Sequence, residues 1–71
     1  MANSTIRIIQ NNIKKYRLQK GFTQENLSEL AGISCDYLSE IERGKKTPSL
    51  KRFIAIADVL GLPYGEFFKG E

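Results

Sequence analysis

The sequence of 71 residues predicts an all-α domain of five short helices. Apolar residues recur at spacings of three and four, which is the period of an amphipathic helix. No segment shows the alternation of apolar and polar residues that indicates a strand. Glycine and proline divide the helical pattern into short pieces, because both residues interrupt helices. These breakers are Gly21, Gly32, Gly44, Pro48, Gly61 and Pro63.

The first two helices are predicted from their apolar stripes and their ends. The first runs from about residue 5 to residue 20 and stops at Gly21, with its stripe formed by Ile6, Ile9, Ile13 and Tyr16. The second begins after Thr23, whose hydroxyl can accept a hydrogen bond from an unpaired N–H of the first turn, with Asn26 at the capping-box position. Its inner face is predicted to consist of Leu27, Leu30 and Ala31.

The remaining helices follow similar signals. Ser34 and Ser49 are N-cap residues, each placed before an apolar stretch with helical spacing. Pro63 suits the first turn of a fifth, short helix over residues 64–68. The third helix is predicted to bury Leu38 and Ile41, and the fourth to bury Leu50, Phe53, Ile54, Ile56, Ala57 and Leu60.

Composition restricts what such a chain can be. Residues 1–71 suffice for a single domain, and a domain of this size buries only about 60% of its unfolded surface. A disulfide is excluded because Cys35 is the only cysteine, and a Cys/His zinc site is excluded because histidine is absent. Oligomerisation is therefore the expected stabiliser. Without an export signal or an apolar span, we expect a cytoplasmic protein that does not enter a membrane.

Positive charge is concentrated in two blocks, although the net charge is only +3. Neither residues 1–20 nor residues 43–52 contain an acidic residue. This distribution favours binding of a polyanion, while two solvated helix faces would give the same pattern. The blocks contain Arg7, Lys14, Lys15, Arg17 and Lys20, and Arg43, Lys45, Lys46, Lys51 and Arg52.

Residues 24–43 have the pattern of a helix-turn-helix. Two helices that cross steeply need a small residue at the crossing, which Ser28 supplies. Gly32 can adopt the left-handed conformation that the turn requires, and Ile33 can anchor the turn in the core. With Leu38 and Ile41 facing inward, the outer face of the second helix presents Cys35, Asp36, Ser39, Glu40 and Arg43.

Four motifs make the pattern specific: "GFTQ" after Arg17, "AGIS", "YLSEIERGKKTPS" and "LGLPYGEFF". Over residues 9–68 the chain resembles the Xre/Cro-type helix-turn-helix family, which includes phage repressors and restriction–modification controllers. The resemblance implies a compact lambda-repressor-like domain of four or five helices. It also implies sequence-specific binding of double-stranded DNA, usually as a dimer on a palindromic operator.

The resemblance also implies roles for individual residues. Thr23 and Gln24 are expected near a phosphate, with Gln24 also supporting the recognition helix, and Ser34 caps that helix. Arg43, Lys45 and Lys46 are expected to approach the DNA backbone. Arg17 and Glu42 match a buried ion pair. The positions that match the groove floor are Cys35, Asp36, Ser39 and Glu40.

The chemistry of these outward residues leaves alternatives open. Cys35 could contact a thymine methyl group, or be a buried small residue or a reactive thiol. Asp36 and Glu40 could each accept from cytosine or orient an arginine, such as Arg43 for Glu40, and Asp36 could instead complement the helix dipole. Tyr37 could pack against the turn while its hydroxyl reaches a phosphate, and Ser39 could contact DNA or water. Sequence discrimination would then depend on Arg43 or on DNA shape.

These observations predict a transcriptional regulator that acts as a repressor, a controller-type activator or both. The alternative is an antitoxin or another protein-interaction module that also binds DNA, so RNA polymerase or a toxin is a possible partner. An enzyme is not expected, because the chain has no nucleophile–base pair, metal cluster or phosphate-cradling loop, and no cofactor is expected either. A homodimer interface is predicted at Ile54, Leu62, Tyr64, Phe67 and Phe68.

Overall fold

A computed structural model describes residues 4–70, and the regular structure in that range is entirely helical. The α-helices are α1 (Ser4–Gln19), α2 (Gln24–Ala31), α3 (Cys35–Glu42) and α4 (Leu50–Leu60), followed by a 3₁₀ helix, Tyr64–Phe68. None of the helices in residues 4–70 combines the length and the apolar character needed to cross a membrane.

The prediction of five helices is correct for four of them and wrong for the type of the last one. The segment Tyr64–Phe68 has only five residues, which begin after Pro63. Its N–H groups bond three residues back: Glu66 N donates to the Pro63 carbonyl at 3.0 Å, and Lys69 N donates to the Glu66 carbonyl at 3.4 Å. So short a segment has room for little more than one helical turn, and 3₁₀ geometry is frequent in such pieces.

The predicted N-caps are confirmed for α2, α3 and α4. The hydroxyls of Thr23 and Ser34 each accept from a backbone N–H at 3.0 Å, and that of Ser49 does so at 3.2 Å. Gly32 and Gly61 end α2 and α4 in the left-handed conformation, with φ of 73° and 70°. Local sequence therefore sets where these helices begin and end.

The core lies where α1, α2, α3, α4 and the 3₁₀ helix meet, and two leucines predicted to be inside are not part of it. Leu30 is 62% exposed, because it lies about 60° around α2 from Leu27 on the side away from buried Ser28. Leu50 is 73% exposed, since it is the first residue of α4 and extends beyond the core. The buried apolar residues are Ile13, Leu27, Leu38, Ile41, Phe53, Ile56, Ala57, Leu60 and Phe67.

Candidate nucleic-acid interface

The third helix presents a polar face to solvent. Leu38, Ile41 and Glu42 are buried, so the helix is fixed on its inner side. On the outer side Asp36 and Arg43 are exposed. The other predicted groove residues are partly exposed: Cys35, Ser39 and Glu40. An eight-residue helix with one anchored face and one open polar face has the dimensions to enter a DNA major groove.

A buried glutamate at the end of α3 joins three elements. Glu42 accepts from Arg17 of α1 through both carboxylate oxygens, at 2.7 Å from Nε and 3.0 Å from Nη2. Arg17 also donates to the Phe22 carbonyl at 2.9 Å, before α2. Gln24 Nε2, at the start of α2, donates to Glu42 Oε1 at 2.9 Å. The predicted Arg17–Glu42 ion pair is therefore present, and Gln24 supports α3 through the same carboxylate.

Gln24 keeps the means to contact a ligand as well. Its side-chain amide carries two N–H donors, of which Glu42 requires one. The residue is the first of α2 and follows the N-cap Thr23, so backbone N–H groups lie beside it. A helix N-terminus of this kind favours an anion, which suits the predicted phosphate contact.

Two cationic side chains lie over the ring of Tyr37. The Tyr37 hydroxyl accepts from Ser49 N at 3.2 Å, at the start of α4. Lys46 Nζ lies 5.8 Å from the centre of its ring and the Arg52 guanidinium carbon lies 5.4 Å from it. Arg52 was predicted only as part of the basic block over residues 43–52 and not as an individual DNA contact, although its place three residues after the Ser49 N-cap was a usable signal. The Tyr37 cluster, meaning Tyr37, Lys46, Ser49 and Arg52, concentrates positive potential beside α3, at the N-terminus of α4.

The loop after α3 folds back on the helix. Lys45 N and Lys46 N donate to the Glu40 carbonyl at 2.8 Å and 3.3 Å, a reversal for which Gly44 adopts φ of 81°. Glu40 was considered a partner for Arg43, but its carboxylate instead lies 3.5 Å from Lys46 Nζ. Arg43 and Lys45 are exposed beside the outer face of α3.

The arrangement of α2, turn and α3 agrees with the family comparison. The sequence profile of the helix-turn-helix family matches residues 13–67, which is most of the chain. The chain belongs to the Xre-type helix-turn-helix family. The match confirms the resemblance inferred from the motifs. The family consists of DNA-binding transcriptional regulators rather than enzymes.

Individual relatives support the same assignment of this helix-turn-helix protein. It is 43% identical over 54 residues to the uncharacterized HTH-type transcriptional regulator YazB of Bacillus subtilis, covering 76% of this chain and 78% of YazB. The controller protein C.AhdI of Aeromonas hydrophila superimposes with a TM-score of 0.84 at 28% identity, covering 89% of this chain and 96% of C.AhdI. SinR of Bacillus subtilis, solved in complex with DNA, gives 0.80 at 35% identity, covering 86% and 98%.

The apolar surface of this helix-turn-helix protein differs from the predicted interface. Phe67 was predicted there, which is wrong, because its side chain is fully buried. Tyr64 and Phe68 are 46% and 49% exposed, while Ile54 and Leu62 are half-buried against the core. The Tyr64 hydroxyl donates to the Asp58 carboxylate at 2.8 Å, and this hydrogen bond raises the pKa of Tyr64.

Phe68 lines an open groove together with residues of α1 and of the start of α4. Exposed Leu50 forms another part of its wall. The apolar groove is lined by Ile6, Ile9, Thr47, Pro48, Leu50, Phe53 and Phe68. It joins Phe68 to residues of α1 and does not include Ile54, and sequence reasoning did not predict it.

Proposed function

We propose that this protein is a transcriptional regulator that binds a specific DNA sequence as a homodimer, with residues 34–43 in the major groove. The observation that carries the proposal is the buried Glu42, which holds α3 against Arg17 and Gln24 while the outer face of α3 stays open. A recognition element must be held rigidly to discriminate between bases, because a displaced side chain loses its hydrogen bonds. The similarity to SinR, which has been solved with DNA, supports the same orientation.

Two positions suited to an anion lie at the N-termini of the helices before and after α3. Gln24 marks the N-terminus of α2, and the Tyr37 cluster marks the N-terminus of α4. We assign both to backbone phosphates, since cations and helix N-termini position a protein on DNA without reading its sequence. Thr23 and Ser34 use their hydroxyls as helix caps and contribute mainly by shaping these ends. Lys45 and Lys46 add positive charge in the loop after α3.

Base discrimination is assigned to the outer face of α3. Arg43 is the residue on this face that can donate two parallel hydrogen bonds to guanine, and its side chain is exposed. Asp36 can accept from cytosine, and Cys35 and Ser39 can make close contacts with base edges. Glu40 pairs with Lys46 at 3.5 Å and therefore acts mainly on the loop.

The homodimer is assigned to the apolar groove and to the exposed rings beside it. Leu50, Tyr64 and Phe68 expose apolar surface on the side formed by the start of α4 and the 3₁₀ helix. A second copy related by a two-fold axis would cover the same patch on both protomers. Two recognition helices would then meet successive major grooves about 34 Å apart. Repression or activation would follow from the position of the operator relative to the promoter.

Selection from random duplexes tests the DNA-binding function directly. We expect enrichment of a palindrome with half-sites about one helical turn apart. Arg43→Ala should flatten the preference at one position in each half-site and weaken the selected duplex about tenfold or more, as expected for a lost bidentate base contact. Lys69→Ala removes an equal charge from a 71% exposed side chain outside the site and serves as the control. Steep salt dependence without any enriched sequence would contradict the proposal.

Sedimentation tests the homodimer. Leu50→Lys should weaken self-association about tenfold or more, because a leucine buried in an interface contributes about 1.5–3 kcal/mol and a lysine adds charge. Leu30→Lys is the matched control, since Leu30 is similarly exposed but lies on α2, outside the apolar groove. A wild-type protein that sediments only as a monomer at high micromolar concentration would contradict the assignment.

A further inference from the structure

The guanidinium of Arg7, on α1, lies against the backbone of Gly44 in the loop after α3. A Cβ atom at position 44 would collide with Arg7 Nη1 and come within 2.9 Å of Cζ. The backbone of Gly44 also has φ of 81°, which disfavours any side chain. Glycine therefore leaves the space that the Arg7 guanidinium occupies.

Gln10 holds this guanidinium in place. Gln10 Oε1 accepts from Arg7 Nη1 at 3.3 Å, and Gln10 Nε2 donates to the Lys46 carbonyl at 2.8 Å. Gln10 is only 3% exposed, so its amide is a fixed link between α1 and the loop. One of the five guanidinium N–H donors of Arg7 goes to Gln10, which leaves the others available to a ligand.

The position gathers cations around one short loop. Gly44 lies between Arg43 and Lys45, and Lys46 follows with its charge offset by the Glu40 carboxylate at 3.5 Å. Arg7 adds a further positive charge to the loop that carries Arg43 and Lys45, and a bound anion relieves the repulsion between these like charges. We propose that Arg7 binds a backbone phosphate of duplex DNA, beside the one approached by the Gly44 loop. The inference rests on the proposed DNA-binding function and adds a contact from α1, outside the helix-turn-helix.

Arg7→Ala measures this contact on the duplex selected by the wild-type protein. We expect about tenfold weaker binding at moderate salt, similar for matched and mismatched duplexes, because a phosphate contact carries no sequence information. The slope of log K against log salt should fall by about 0.9 for each protomer. Lys69→Ala, which removes an equal exposed charge, should stay within about twofold of wild type. Equal melting temperatures would show that Arg7→Ala remains folded.

Neutral methylphosphonate linkages, placed one at a time, separate direct contact from loosening of the loop. At one position in each half-site, the neutral linkage should weaken binding of the wild-type protein but should not further weaken binding of Arg7→Ala. Arg7→Lys should recover part of the salt dependence. Additive effects at every position, or wild-type affinity of Arg7→Ala, would overturn the Arg7 contact alone. A wild-type protein that selects no sequence would instead overturn the proposed function.

Discussion

Replacing Glu42 with alanine should lower the free energy of unfolding by about 3–5 kcal/mol, as expected when one partner of a buried ion pair is removed. The side chains of Arg17 and Glu42 are only 8% and 2% exposed, so the arginine would keep its charge with little access to water. Gln24 would lose its acceptor as well. Chains of 71 residues have total stabilities of about 4–11 kcal/mol, so little would remain. Urea denaturation monitored by circular dichroism measures the loss.

Glu40→Ala is the matched control, since it removes the same charged group from the same helix. The Glu40–Lys46 pair is 3.5 Å long with side chains 35% and 54% exposed, so we expect a change below about 1 kcal/mol. Glu42→Gln should give an intermediate loss, because the amide keeps one acceptor for Arg17. DNA affinity of Glu42→Ala should fall as a consequence of unfolding. A variant with the wild-type melting temperature would contradict this account of Glu42.

Helix boundaries were predictable because caps are local. Thr23, Ser34 and Ser49 each bond to a backbone N–H three residues away, so the sequence contains both partners within one turn. Burial was less predictable, since it depends on the neighbours of each helix. Leu30 and Leu50 satisfy the helical spacing, yet both are exposed. The other helices cover a different side of α2 from Leu30, and Leu50, the first residue of α4, lies beyond the core.

The site was also predictable only in part, because its contacts join residues that are far apart in the sequence. Spacing alone could not pair Arg17 with Glu42 across 25 residues, and the family resemblance supplied that expectation. The contact between Arg7 and Gly44 spans 37 positions and corresponds to no motif in the sequence. The two basic blocks contain Arg7, Lys46 and Arg52 but do not say which of their neighbours lie close in space. Their individual partners require the three-dimensional structure.

Phe67 and Phe68 give the sharpest test of where the core ends, because both were predicted on one surface and only Phe68 is exposed. Phe67→Ala should cost about 3–5 kcal/mol, the range for a fully buried phenylalanine. Its ring packs edge-to-face on Tyr16 and Phe53, each at 5.4 Å between ring centres. Thermal denaturation of the two alanine variants provides the comparison.

Phe68→Ala should cost much less stability, since the side chain is 49% exposed and forms one wall of the open apolar groove. The centre of its ring lies 6.0 Å from the centre of the Phe53 ring. Its larger effect should be weaker self-association, which Phe67→Ala would not reproduce at temperatures where it remains folded. Equal losses of stability, measured at a protein concentration low enough for the monomer, would mean that Phe68 is covered in the folded monomer. The groove would then be unavailable to a second copy, and the dimer assignment would fail together with this prediction.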